Sequence, residues 1–121
     1  PLSHKAFVKA LKEYSKLTDD NISTVADLFR KALETFFKEF FDSSKSLENL
    51  KSEYGNYMKS KDIPNELRSN FETLLRSYTS FNNGYAKHND KSSKDALEYI
   101  MYQTGSLIRF IITLKDWDDE V

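Results

Sequence analysis

No cysteine occurs among the 121 residues. Disulfide frameworks and thiolate zinc sites are therefore excluded, and an intracellular, reducing compartment is expected. Glycine and proline are nearly as scarce, with three and two copies. A β-sandwich or barrel needs turn residues at short intervals, and this chain does not supply them. Long apolar runs are also missing. The stretch Leu107-Ile108-Arg109-Phe110-Ile111-Ile112-Thr113-Leu114 falls well short of the roughly 20 residues that cross a bilayer, so no membrane contact is expected. Charge of one sign is not in excess either, the formal net charge being -1. Gripping nucleic acid across the whole surface requires many unbalanced Lys and Arg, which leaves a local patch as the only electrostatic route. The opening Pro1-Leu2-Ser3-His4-Lys5 lacks the charged region and apolar core of a secretory leader. Starting at proline suggests a processed terminus or a fragment of something longer. A soluble, cytoplasmic protein is the expectation.

What the chain does have is apolar residues at helical spacing, which predicts one domain over 1–121, an all-α, up-and-down bundle of four to five helices. Phe7, Ala10, Leu11, Tyr14 and Leu17 predict a short first helix, closed by the turn-favouring Thr18-Asp19-Asp20-Asn21. Val25, Leu28, Phe29, Ala32, Leu33, Phe36, Phe37, Phe40 and Phe41 then form the strongest stripe, wide enough to face a core, and mark the central helix. Asp42-Ser43-Ser44 should end it. Leu47, Leu50, Tyr54, Tyr57 and Met58 predict a weaker helix that carries Gly55 in its interior. Asp62-Ile63-Pro64-Asn65-Glu66 reads as a helix start, followed by a seam of Leu67, Phe71, Leu74, Tyr78 and Phe81. The last helix should begin near Ser92-Ser93-Lys94-Asp95 and run to the acidic end. Its apolar residues spread over more than one face, which implies either a place between the other helices or a dimer interface.

Several chemistries are excluded by missing motifs: no Gly-rich phosphate loop, no His-Glu-x-x-His helix, no nucleophile elbow. No cofactor and no metal site are expected, since Asp116, Asp118, Asp119 and Glu120 form an acidic tail without the spacing of a metal loop. The best candidate for a chemical site is the polar stretch Phe81-Asn82-Asn83-Gly84-Tyr85-Ala86-Lys87-His88-Asn89-Asp90, read as a loop between two apolar helices. His88 is one of two histidines in the chain, and histidine is the usual proton carrier near neutral pH. The bland alternative is a solvated surface side chain. Arg30 and Glu34, one turn apart at the edge of the central stripe, are candidate binding residues, or else an exposed pair worth about 0.2–0.5 kcal/mol or less. Arg109 interrupts an apolar run, so it should snorkel outward or pair with a carboxylate across an interface.

Two segments together resemble the HEPN superfamily, in particular the helical domains of abortive-infection and anticodon-nuclease-like defence proteins. Leu28-Phe29-Arg30-Lys31-Ala32-Leu33-Glu34-Thr35-Phe36-Phe37 is similar to the Arg-x-x-Leu-Glu pattern of the family's core helix. Asn82-Asn83-Gly84-Tyr85-Ala86-Lys87-His88, followed by a long apolar helix, resembles its signature of an arginine, a polar neighbour, a spacer of four to six residues in all, and a histidine. The resemblance covers roughly residues 22 to 114 in element order.

In active members this implies a metal-independent endoribonuclease, with His88 in proton transfer and Asn83 as the polar neighbour. Asn82 stands where the resemblance expects the arginine that stabilises the phosphoryl transition state. An amide brings no positive charge there, and losing one such stabiliser costs about 100 to 1000-fold in rate. Lys87 could supply charge from a different spacing, and Tyr85 would join the binding surface. The resemblance thus implies a module for dimerisation through the last helix, or for sensing RNA or a nucleotide, without catalysis. A fused ATPase domain or a cognate antitoxin would be its partner. An active nuclease built on His88 and a plain protein-interaction bundle are the two alternatives.

Overall fold

The computed structural model of the chain describes residues 2–84 and 91–115; at 48, 81–84 and 91–93 the description does not extend to the side chain. Every regular element among the described residues is helical: α1 (Leu2–Tyr14), α2 (Ile22–Phe41), a 3-10 turn (Leu47–Asn49), α3 (Lys51–Ser60), α4 (Asn65–Gly84) and α5 (Lys91–Lys115). The all-α expectation is met, with five α-helices among these residues. Phe81–Gly84 differ from the reading of a loop there, because they complete the last turn of α4. The predicted helix at Leu47 is also divided, with a 3-10 turn before α3 begins.

Local chemistry explains the breaks. Asn21 does not cap α2 with its side chain. Its Oδ1 instead accepts the backbone N–H of Thr18 at 2.8 Å, tightening the turn from α1. Both α2 and α3 stop where an aspartate enters the left-handed region, Asp42 at φ 50° and Asp62 at φ 55°. There the N–H of Ser43 reaches back to the Lys38 carbonyl at 2.9 Å, and that of Ile63 to the Met58 carbonyl at 3.1 Å. These paired reverse bonds satisfy carbonyls that the helix end would orphan, and aspartate tolerates the conformation better than most residues. Ile63 is buried just beyond the stop, so α3 ends with its exit residue pinned in the core. Pro64 precedes the first residue of α4, its carbonyl accepting from Leu67 and Arg68 at 3.0 Å.

Four long helices run alternately up and down. The N–H groups of Leu2 and Ser3 donate to the carboxylate of Glu39 at 3.1 and 2.6 Å, placing the start of α1 beside the end of α2. Phe71 of α4 meets Phe37 of α2 and Phe110 of α5, with centroids 6.4 and 5.2 Å apart. Farther along, Tyr78 meets Thr104, so α4 is antiparallel to α5. α2 is the central element, burying Ile22, Val25, Ala26, Phe29, Ala32, Leu33, Phe36 and Phe37. α1 covers one side of it through Phe7 and Tyr14, which meet Phe29 edge-on at 5.9 and 6.4 Å. Short α3 lies across α4, where Tyr54 meets Phe71 at 5.5 Å.

Burial along α4 and α5 refines the expected seams. In α4 the core positions are Phe71, Leu75 and Tyr78, while Leu74 is 40% exposed. In α5 they are Leu97, Ile100, Thr104, Leu107, Ile111 and Leu114, a stripe with the alternating three- and four-residue steps of a helix packed along its length. Flanking Met101, Ile108 and Phe110 are partly buried against the same core. The many apolar faces of α5 are thus largely accounted for by its position against α2 and α4. No helix among the described residues is long and apolar enough to cross a membrane.

Candidate functional site

The described part of the motif segment lies at the end of α4. Asn82 and Asn83 lie on the last turn of α4; Tyr85, Lys87 and His88 lie outside the described residues. What positions that end is the helix pair itself. The Tyr78 hydroxyl and Thr104 Oγ1 are 2.7 Å apart, and Thr104 Oγ1 also donates to the Ile100 carbonyl at 2.7 Å. Both residues are fully buried. Water cannot replace their hydrogen bond, so it selects one register of α4 against α5.

Arg30 and Glu34 belong to a ladder of ion pairs along α2. Arg30 Nη1 donates to Glu34 Oε2 at 3.0 Å, and its Nη2 and Nε contact Asp27 Oδ1 at 3.3 Å. Lys31 and Lys38 extend the ladder to Asp27 and Glu34 at 3.0 and 3.1 Å. Burial raises the Glu34 carboxyl's affinity for protons, but the hydrogen bond and charge of Lys38, the charge of Arg30 and the Leu47 backbone together hold its pKa below the ordinary value. That last contact ties α2 to the 3-10 turn. Each guanidinium nitrogen of Arg30 thus has a carboxylate oxygen of Asp27 or Glu34 beside it, which braces the surface of α2.

Two features escaped the linear reading. The first is a cleft of about 420 Å³ between the start of α1 and the later halves of α2 and α5, where His4 and Arg109 line one wall with Phe7, Phe36 and Ile112. Arg109 is exposed and, among the described residues, has no carboxylate partner, so it snorkels. Nothing in sequence spacing could join residues so far apart.

The second is a groove between α3 and α4, formed by two adjoining cavities of about 650 Å³ each. Lys51, Lys59, Arg68 and Arg76 line it, against a single carboxylate, Glu72. Lys51 Nζ lies 2.8 Å from Glu72 Oε1, and Arg76 Nη2 approaches the same oxygen at 4.0 Å. The hydrogen bond from Lys51, with the charges of Lys51 and Arg76, holds Glu72 below its usual carboxylate pKa. Arg68 Nη2 is held by Asn65 Oδ1 at 3.2 Å, while its buried Nε has no hydrogen-bond partner. Lys59 has no ion pair among the described residues. Burial, aided by Glu72, raises the Tyr54 phenol's pKa despite an opposing effect of Arg76, so the phenol remains neutral. Hydroxyls and amides of Ser52, Asn56, Ser69 and Thr79 line the same groove. The groove runs along α4 toward the turn that carries Asn82 and Asn83. A detectable signal did exist in the sequence: Lys51 and Lys59, like Arg68 and Arg76, are two helical turns apart and share a face of their helix.

No group of three or more His, Cys, Asp or Glu side chains among the described residues could hold a metal ion. In comparisons with family models, with curated proteins and with solved structures, the chain matches none.

Proposed function

We propose that this chain is a HEPN-like helical module for dimerisation or for sensing RNA or a nucleotide, within a defence protein of the abortive-infection or toxin–antitoxin type, and that it does not cut RNA. The observation that carries the reading is the antiparallel pair of α4 and α5, fixed in register by Tyr78 and Thr104. Such a pair brings the end of α4, which carries Asn82 and Asn83, into an antiparallel arrangement with α5, which is compatible with the helix–motif–helix order of the resemblance. Asn82 in place of a cation supports the absence of catalysis, because an uncharged amide stabilises a developing phosphorane poorly. Tyr99, Tyr102 and Ile112, between 50% and 65% exposed on α5, support a second copy as the partner along that helix. A fused ATPase domain or a cognate antitoxin would then regulate the assembly.

The test combines assembly with activity. Purified wild type, His88→Ala and Ile112→Asp are compared by light scattering and by cleavage of a mixed RNA pool in EDTA. The expected result is a wild-type dimer that leaves the pool intact, with Ile112→Asp monomeric and folded. Cleavage abolished by His88→Ala would replace this reading with that of a metal-independent endoribonuclease. A wild-type monomer would remove the dimerisation half.

A further inference from the structure

The cationic groove is unrelated to the motif that suggested the HEPN resemblance, and no residue of it was singled out as a binding residue from the sequence. Lys51 and Lys59 on α3, and Arg68 and Arg76 on α4, each span eight residues, or roughly 12 Å of helix. The cations are therefore spread in two facing rows along a furrow, which suits a linear polyanion better than a compact one. A compact phosphate site would instead need donors converging on one point, as in a Gly-rich loop. From the furrow's length, its four cations against one carboxylate and the hydroxyl and amide groups between them, we infer that the α3–α4 groove binds the sugar-phosphate backbone of single-stranded RNA.

Three details give the inference mechanical content. Glu72 occupies the centre of the groove and accepts from Lys51, so it fills the place of a ligand phosphate in the free protein. An entering phosphodiester replaces it as the partner of Lys51 and Arg76, leaving Glu72 to water. Arg68 has one donor matched by Asn65 and a buried Nε without an acceptor. A small rotation of the guanidinium toward the groove pairs that donor with a phosphate oxygen, turning an internal deficit into a charge-assisted hydrogen bond. Finally, the furrow continues along α4 to Thr79 and Ser80, so a bound strand is led toward the last turn of α4. The inference rests on the RNA-sensing reading above for the identity of the polyanion, and on the groove alone for where it binds.

Fluorescence anisotropy of an end-labelled, unstructured 12-nucleotide RNA tests it, across a salt series, with the wild type and with single and combined Lys51→Gln, Lys59→Gln, Arg68→Gln and Arg76→Gln variants. Circular dichroism checks that the surface substitutions leave the helices intact. If all four cations meet phosphates, the logarithm of the association constant falls with the logarithm of salt with a slope of about -2.8, and each substitution reduces that slope by about 0.7. At 0.1 M salt each substitution then weakens binding about fivefold. Glu72→Gln strengthens it, because its competing charge is gone.

Undiminished binding by the quadruple variant would overturn the groove while leaving RNA sensing in place. No binding by the folded wild type would end both. Competition by inorganic phosphate or a mononucleotide at the same phosphate concentration would replace the strand with a compact ligand. Equal competition by polyglutamate would mean that charge alone is read, and preference for a duplex RNA would overturn the single-stranded assignment.

Discussion

Tyr78 and Thr104 are chemically unequal partners, and the inequality predicts how each responds to substitution. Thr104 Oγ1 gives its proton to the Ile100 carbonyl, so the Tyr78 hydroxyl is the donor across the helix pair. Tyr78→Phe removes that donor and leaves only a spare lone pair on threonine, at a cost of about 1 kcal/mol. Thr104→Val removes the acceptor that Tyr78 meets across the helix pair and should cost about 1–3 kcal/mol. The combined variant is expected to be less destabilised than the sum, as read by urea unfolding of all four proteins in a double-mutant cycle. A cost for Thr104→Val below that for Tyr78→Phe would refute the assigned direction of the bond. Glu34 yields a second prediction at this scale. Its folded pKa is lowered, so the unfolded chain binds more protons in the acid range, and stability must rise with pH there. The contribution is complete above the unfolded value of about 4.3 and is lost as pH falls through the lower folded value. Glu34→Gln should therefore cost more at pH 6 than at pH 3; equal losses at both would show that the ladder is electrostatically idle. Neither residue's role was readable in advance. Thr104 lay inside a helical stripe with no indication that its hydroxyl would face a phenol 26 positions earlier, and the Arg30–Glu34 spacing fits a brace and a binding pair equally well.

At the scale of single elements, the 3.6-residue periodicity placed all five helices, because burial of one stripe is what stabilises them. It failed at two ends. The Asn82-Asn83-Gly84 run looks like a loop by composition, yet α4 continues to Gly84. Local preference for turns is weak, and here the helix continues through it. The division of the region near Leu47 was hidden for the opposite reason, since 3-10 and α turns share apolar spacing over so short a stretch. Gly55 provides a clean test of helix propensity inside α3. Its φ is not positive, and a Cβ built on it would have no heavy atom within 4 Å. Gly55→Ala should therefore stabilise the protein by about 0.5–1 kcal/mol, measured as a higher denaturation midpoint with an unchanged slope. Loss of stability would mean that α3 needs glycine's freedom for a reason other than space.

The whole molecule shows why the fold was more legible than the site. Hydrophobic stripes report which faces are inward, and inward faces decide a bundle. They say nothing about which polar surfaces meet. The groove arises because α3 crosses α4 at a level that sets Lys51 opposite Glu72, and the cleft of His4 and Arg109 arises because α1 lies over both α2 and α5. Both juxtapositions are products of docking. The motif segment, by contrast, was legible as a string of residues, and His88, Lys87 and Tyr85 lie outside the described residues, so the strongest sequence signal and the strongest structural signal fall on different parts of the chain. The groove variants and the assembly measurements separate them, because one set alters the cations of the α3–α4 groove and the other a face of α5.

The alternation of the four long helices also governs how the chain can reach its native state. α1 with α2, and α4 with α5, are each pairs of sequence neighbours, so their partners meet after closing only a short segment, for which the entropic cost is small. Distant parts of the sequence meet where α2 packs on α5 and on α4. Phe71 sits at the seam, touching aromatic rings from α2, α3 and α5, so its ring reports the docking of those elements on one another.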